Sequence, residues 1–200
     1  MRQKRTVRRR KRPALLMLLE LILLVLVLYG GYRLVRYGVR QYYYNAYPIR
    51  YEQEIDRACA ENQLDRALVY AVVRTESGFD PRAQSNVGAR GLMQLMPDTY
   101  DWVRMRYGEP PTSDYEALYE VQTSITYGTR LLRLLLDEFD TVENSLCAYH
   151  GGWGSVKEWL ATPEYAPDGK NVTNIPFADT RAYVKKVGET MEIYRKLYGM

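Results

Sequence analysis

Residues 65–83 read DRALVYAVVRTESGFDPRA, and this stretch sets the fold class. Asp65 carries the short acceptor side chain of a helix N-cap. An apolar run follows, and Gly78 is a natural helix stop. Glu76 therefore falls at the C-terminal end of an apolar helix, at the negative end of the helix dipole. If Val72 and Val73 wall it from water, its pKa rises. A carboxylic acid that is still protonated near neutral pH is what cleavage of a glycosidic bond needs. Position alone does not establish this, because most helix-end glutamates are solvated surface groups.

Outward from this stretch the pattern stays helical. Residues 51–63 place Ile55, Ala58 and Cys59 at helix spacing. Pro97 and Asp98 open a helix through about Tyr107. Residues 115–139 read as one short and one long helix, the latter rich in leucine. Thr141 opens a helix running into CAYHGGWG, a short helix covers 156–161, and ADTRAYVKKVGETMEIYRKLYG closes the chain as an amphipathic helix with Val184, Val187, Met191 and Tyr194 on one stripe. Residues 78–90, 108–114 and 162–177 read as loops. No stretch alternates as a strand does, so the expectation is an all-α domain over about 51–200.

The net charge of +4 is unevenly spread. Residues 1–40 hold eleven Lys/Arg against Glu20 alone, while the rest holds seventeen against twenty-three acids. The folded part is thus mildly acidic, which argues against a nucleic-acid-binding domain. The basic charge is concentrated in residues 1–13 and abuts an apolar stretch at 14–32, ALLMLLELILLVLVLYGGY. As a helix this spans about 28 Å, close to the hydrocarbon thickness of a bilayer. It can be read as a cleaved signal peptide, a membrane anchor or a buried helix. Its flank, YGGYRLVRYG, offers no small-residue cleavage site. An uncleaved signal anchor is therefore expected, with the basic tail in the cytoplasm and the rest outside. Residues 33–50, in which Arg and Tyr alternate irregularly, read as a stalk or partly helical linker. Nineteen tyrosines against three phenylalanines suit half-exposed contacts to a polar polymer.

Cys59 and Cys147 can be a disulfide or two buried thiols. With one histidine in the chain, neither belongs to a recognisable metal site, and no cofactor is expected.

Four segments, in order, resemble the lytic transglycosylase family of the soluble, lysozyme-like type: ALVYAVVRTESGFDPRA (67–83), GARGLMQLMPDT (88–99), AYHGGWG (148–154) and IPFADTRAYVKKV (175–187). The resemblance implies an all-α, lysozyme-like catalytic domain acting on peptidoglycan glycan strands, preceded here by the one transmembrane helix expected from the apolar stretch at 14–32. It implies that Glu76 is the single acid and base, protonating the oxygen between N-acetylmuramic acid and N-acetylglucosamine and then deprotonating the muramic C6 hydroxyl. Attack within the same sugar makes a second carboxylate unnecessary. It further implies that Ser77 hydrogen-bonds near the reacting sugar, Gln94 lines the cleft, Gly91 permits close backbone approach, Tyr149 sits across the cleft and Tyr183 holds Glu76. Read without the family, Ser77 is a helix-end serine satisfied by backbone, and Gln94 and Tyr183 are packing.

Asp80 and Asp98, beside Pro81 and Pro97, read as turn or capping residues. One departure stands out. The family's third motif usually has Asn where this chain has His150. Neutral imidazole also offers one donor and one acceptor, so it can substitute, alter specificity or add a titratable group. Hydrolysis on the same fold and a non-catalytic wall-binding module remain the competing functions.

Overall fold

The computed structural model describes residues 14–200; the basic tail at 1–13 lies outside them. The chain divides between Ala46 and Tyr47 into two units. The first contains α1 (Ala14–Ala46), 33 residues with no buried position, long and apolar enough to cross a membrane. Within the expected stalk at 33–50, residues 33–46 continue this helix, while 47–50 lie beyond it. There Arg33, Arg36 and Arg40 each donate to a tyrosine hydroxyl four residues away, to Tyr29 at 3.0 Å, Tyr32 at 3.2 Å and Tyr44 at 3.1 Å. Such pairs stabilise an exposed helix surface.

The second unit is helical: α2 (Glu52–Asn62), α3 (Arg66–Glu76), α4 (Pro97–Arg106), a 3-10 turn (Glu116–Tyr119), α5 (Val121–Phe139), α6 (Val142–Gly151), α7 (Trp153–Leu160) and α8 (Ala178–Tyr198). Among the described residues there is no strand, only isolated antiparallel bridges, Gln84–Arg90 and Arg90–Leu95, in the loop before α4. The expected caps are in place. Asp65 accepts from the Ala67 amide at 2.8 Å and Thr141 from the Asn144 amide at 3.2 Å, while Gly78 ends α3 with φ near 60°.

α3 is the axis of the unit. Ala67 through Val73 are all buried, so the helix is apolar on every side because every side is covered. α2, α5 and α8 supply the cover, with Ile55, Ile125, Leu132, Val187 and Tyr194 in the same core. A second core under α4, α5, α6 and α7 is built on Tyr100, Leu118, Leu135 and Trp159. The unit begins with a strap on α8: Tyr198 donates to the Tyr47 carbonyl at 2.7 Å and Tyr194 to the Pro48 carbonyl at 3.1 Å. Cys59 and Cys147 are buried free thiols, which burial pushes up to about 12 and about 11.

Two glycines set how closely the 91–96 loop approaches its neighbours. At Gly91 (φ 76°) a Cβ would lie 1.9 Å from the Leu118 carbonyl oxygen, and at Gly128 a Cβ would lie 2.3 Å from Met93 Sδ. The close backbone approach expected at Gly91 is therefore an approach to Leu118. Gly91→Ala should cost about 3 kcal/mol or more, since it combines a left-handed backbone with a backbone clash. Gly78→Ala, with similar φ and open space around it, should cost about 1 kcal/mol. Unfolding midpoints of the detergent-solubilised variants check the difference.

Candidate active site

The path from sequence to site begins at the end of α3. Seven buried residues carry the helix through the core, and Glu76 emerges where the core ends, half-buried. Its Oε1 accepts a hydrogen bond from the Tyr183 hydroxyl of α8 at 2.7 Å. Burial pushes the Glu76 carboxyl up to about 7; the bond from Tyr183 and the nearby Lys186 ammonium pull the other way and do not overcome it. No second carboxylate is among the groups that perturb it.

Two tyrosines flank this carboxyl. Tyr183 is buried, and burial together with the Glu76 charge holds its phenol well above the usual range, so it stays a neutral donor. Tyr149, on α6, is held up for the same two reasons, and its hydroxyl donates to the Met93 carbonyl at 2.6 Å. Tyr149 thereby ties α6 to the loop that precedes α4. Met93 is pinned from the other side, where its amide donates to the buried Ser124 hydroxyl of α5 at 3.1 Å.

Ser77 and Gln94 are brought to the same end of α3, where their donor groups are engaged by the backbone. The Ser77 hydroxyl lies 3.1 Å from the Val73 carbonyl and 2.9 Å from the Leu92 carbonyl, and it accepts from the Phe79 amide at 3.2 Å. This staples the turn after α3 to the 91–96 loop. Gln94 has a left-handed backbone, φ 47°, unusual for a residue with a Cβ. Its Nε2 donates to the Ala83 and Gly91 carbonyls at 3.0 and 2.9 Å, which holds the loop in that conformation. Asp80 accepts from the Arg82 amide at 2.9 Å, the turn role expected of it.

Next to Tyr149 opens a cleft of about 780 Å³. Met96, Leu131, Leu135 and Ala148 are among its apolar lining, with the indoles of Trp102 and Trp153 in edge contact at 5.4 Å. Asp98, Arg106 and His150 add polar groups. Glu76 is not part of this lining, whereas Tyr149 and His150 are. His150 stacks on Tyr183, ring centroids 4.6 Å apart, and its Nδ1 lies 3.1 Å from Thr180 Oγ1. Sequence reasoning assigned no role to Thr180, Lys186, Trp102 and Trp153. The first two share a face of α8 with Tyr183, a spacing of three that was available to find them, and Trp153 lies within the quoted segment 148–154; Trp102 carried no local signal. Among the described residues no three His, Cys, Asp or Glu side chains cluster as metal ligands would.

With this geometry in view, comparisons place the chain. Residues 53–172 match the family model "Transglycosylase SLT domain". The soluble lytic murein transglycosylase of Escherichia coli K12 is 32% identical over 155 residues, covering 76% of this chain and 24% of that protein. A membrane-bound lytic murein transglycosylase C of Edwardsiella ictaluri is 28% identical over 171 residues, covering 74% of this chain and 47% of that protein. The crystal structure of the 70 kDa soluble lytic transglycosylase from Escherichia coli superposes with a TM-score of 0.70 at 30% identity, over 78% of this chain and 26% of that one. The chain thus spans about a quarter of the length of the soluble relative it matches. The fold expected from sequence, all-helical and lysozyme-like behind an N-terminal apolar helix, is the one found.

The raised carboxyl has a consequence for stability. A carboxyl whose folded pKa lies above its unfolded value stabilises fully below the unfolded value, about 4.3, and that contribution is lost as pH rises through about 7. Glu76→Gln should therefore gain on the order of 3 kcal/mol over the wild type at pH 8 and far less at pH 4.5. Denaturant unfolding at the two pH values measures this.

Proposed function

Starting from the transglycosylase SLT-domain family, to which this chain belongs, we propose that it is a lytic murein transglycosylase cleaving the β-1,4 bond between N-acetylmuramic acid and N-acetylglucosamine in peptidoglycan. The observation that carries the reading is the lone, desolvated Glu76 carboxyl, raised to about 7 and gripped by Tyr183. It is an acid near neutral pH, and it remains a competent base once it has given up its proton.

The reaction runs in two proton transfers. Glu76 gives its proton to the bridging oxygen, and the bond from that oxygen to the muramic C1 breaks. The C6 hydroxyl of the same muramic residue then attacks C1, and the Glu76 carboxylate takes its proton. A 1,6-anhydro end forms and no water is consumed. Intramolecular attack substitutes for an activated water, which fits the absence of a second carboxylate among the groups acting on Glu76. Tyr183 keeps the carboxyl aimed through both steps. Tyr149 bounds the cleft beside it, and Ser77 and Gln94 shape the loop over which the sugar lies. His150 occupies the position of the family's usual Asn.

The neighbours support this assignment. One matching structure, at 30% identity with a TM-score of 0.66, is an inactive glutamate-to-glutamine variant of the lytic transglycosylase Slt from Pseudomonas aeruginosa. Another is a complex of the 70 kDa enzyme with bulgecin A. The length and apolar composition of α1 support a proposed location. Residues 14–32 would cross the membrane as a signal anchor, with tail 1–13 in the cytoplasm, 33–50 as the connection and 51–200 acting outside on nearby wall strands. The relative named as membrane-bound is consistent with such tethering.

Purified peptidoglycan should release anhydro-muramic fragments with the wild type and none with Glu76→Gln, as read by mass spectrometry. Products heavier by one water would instead mean hydrolysis, and release by the variant would remove Glu76 from the chemistry. His150→Asn, which restores the family's usual residue, should retain activity within about tenfold.

A further inference from the structure

His150, the site residue that departs from the family's usual pattern, has two side-chain partners on α8. His150 lies in the last turn of α6, followed by Gly151 and Gly152. At Gly151 a Cβ would come within 3.1 Å of Trp159 and 3.4 Å of Thr180 Oγ1. α6 thus passes close to the first turn of α8, and this brings the imidazole onto the Tyr183 ring, centroids 4.6 Å apart and planes 29° from parallel. Thr180, itself buried, lies 3.1 Å from Nδ1 and fixes the rotation of the imidazole. Tyr183 in turn places its hydroxyl 2.7 Å from Glu76.

We propose that His150 is a positioning residue, whose imidazole, held by Thr180, braces the Tyr183 ring and through it the Glu76 carboxyl. This rests on Glu76 being the acid and base of the proposed reaction. The physical basis is that tilting the whole ring about χ1 displaces the phenol oxygen carried at its far end, and a plane stacked on one face blocks tilt toward that face. Asn in the same place can bond to Thr180 but presents no aromatic plane. This chain therefore fixes its Glu–Tyr pair with a contact that the family's usual residue does not supply.

The groups around the pair are few. Glu76 feels Tyr183 and Lys186 from α8, and its charge reaches Tyr149 on α6. The imidazole meets Thr180 and Tyr183 from α8, and it shares the cleft with Asp98 and Arg106 of α4. The bond from Tyr183 lowers the proton affinity of Glu76. Loosening the ring therefore raises that affinity and moves the alkaline limb of the pH–rate profile upward.

The test uses the full chain and soluble uncross-linked glycan strands. His150→Ala should lower kcat about tenfold with little change in KM, and shift the alkaline limb up by about half a unit. His150→Phe, which restores a ring plane, should return the limb toward the wild-type position. In a Tyr183→Phe background, His150→Ala should shift nothing further, because the group it acts through is gone. A raised KM with an unmoved limb, or the same shift with and without the Tyr183 hydroxyl, would overturn the proposal. NMR titration of the Glu76 carboxyl carbon in wild type and His150→Ala reads the same shift without turnover. Failure of the proposed reaction would then appear as absent products alone, and failure of the bracing role as an unmoved titration.

Discussion

The hydrogen bond from Tyr183 to Glu76 is the contact on which the rest of the second unit converges. It joins the end of the buried helix α3 to the amphipathic helix α8 across 107 residues of sequence. Water is kept from the carboxyl on most sides, so its charge is unfavourable, and one phenol makes that charge tolerable without making it preferred. A stronger donor or a second cation beside it would fix the carboxylate and remove the acid. A drier pocket without the phenol would hold the proton more tightly still. The single bond leaves the group between these limits.

Much of the surrounding structure serves to hold that geometry still. The 91–96 loop is pinned from three directions, by Ser124 on the Met93 amide, by Tyr149 on the Met93 carbonyl and by Ser77 beside the Leu92 carbonyl. Gly91 lets the loop lie against Leu118, and Gln94 secures its own unfavourable backbone with two side-chain bonds. Rigid placement of the loop matters because a catalytic group must be held to a fraction of an ångström to be useful. The apolar, tryptophan-walled cleft lies next to Tyr149, whose hydroxyl holds the same loop.

What could be read from sequence was local or patterned. The helix starts at Asp65 and Thr141 and the stop at Gly78 were legible because caps and left-handed glycines act within a few residues. Glu76, Tyr149 and Tyr183 were singled out through motifs rather than through physics, since nothing near Glu76 in the sequence announces a tyrosine 107 positions away, the one whose hydroxyl it accepts. The backbone partners of Ser77 and Gln94 were not legible, because Leu92 and Ala83 meet them only through the folded loop. Nor was the continuity of α1 through 33–46, where Arg–Tyr pairs four residues apart replace apolar content as the support for the helix. The stacking of His150 on Tyr183 depends on how closely α6 and α8 pass at Gly151, which no periodicity records.

The proposed role of Glu76 is that of a carboxyl poised as an acid near neutral pH. Its most direct test is the pH dependence of kcat/KM for glycan cleavage by the wild-type chain. The profile should fall with a limb near pH 7, where Glu76 loses its proton. Activity that holds level through pH 9, or that already falls at the ordinary carboxylate range near 4.3, would contradict it.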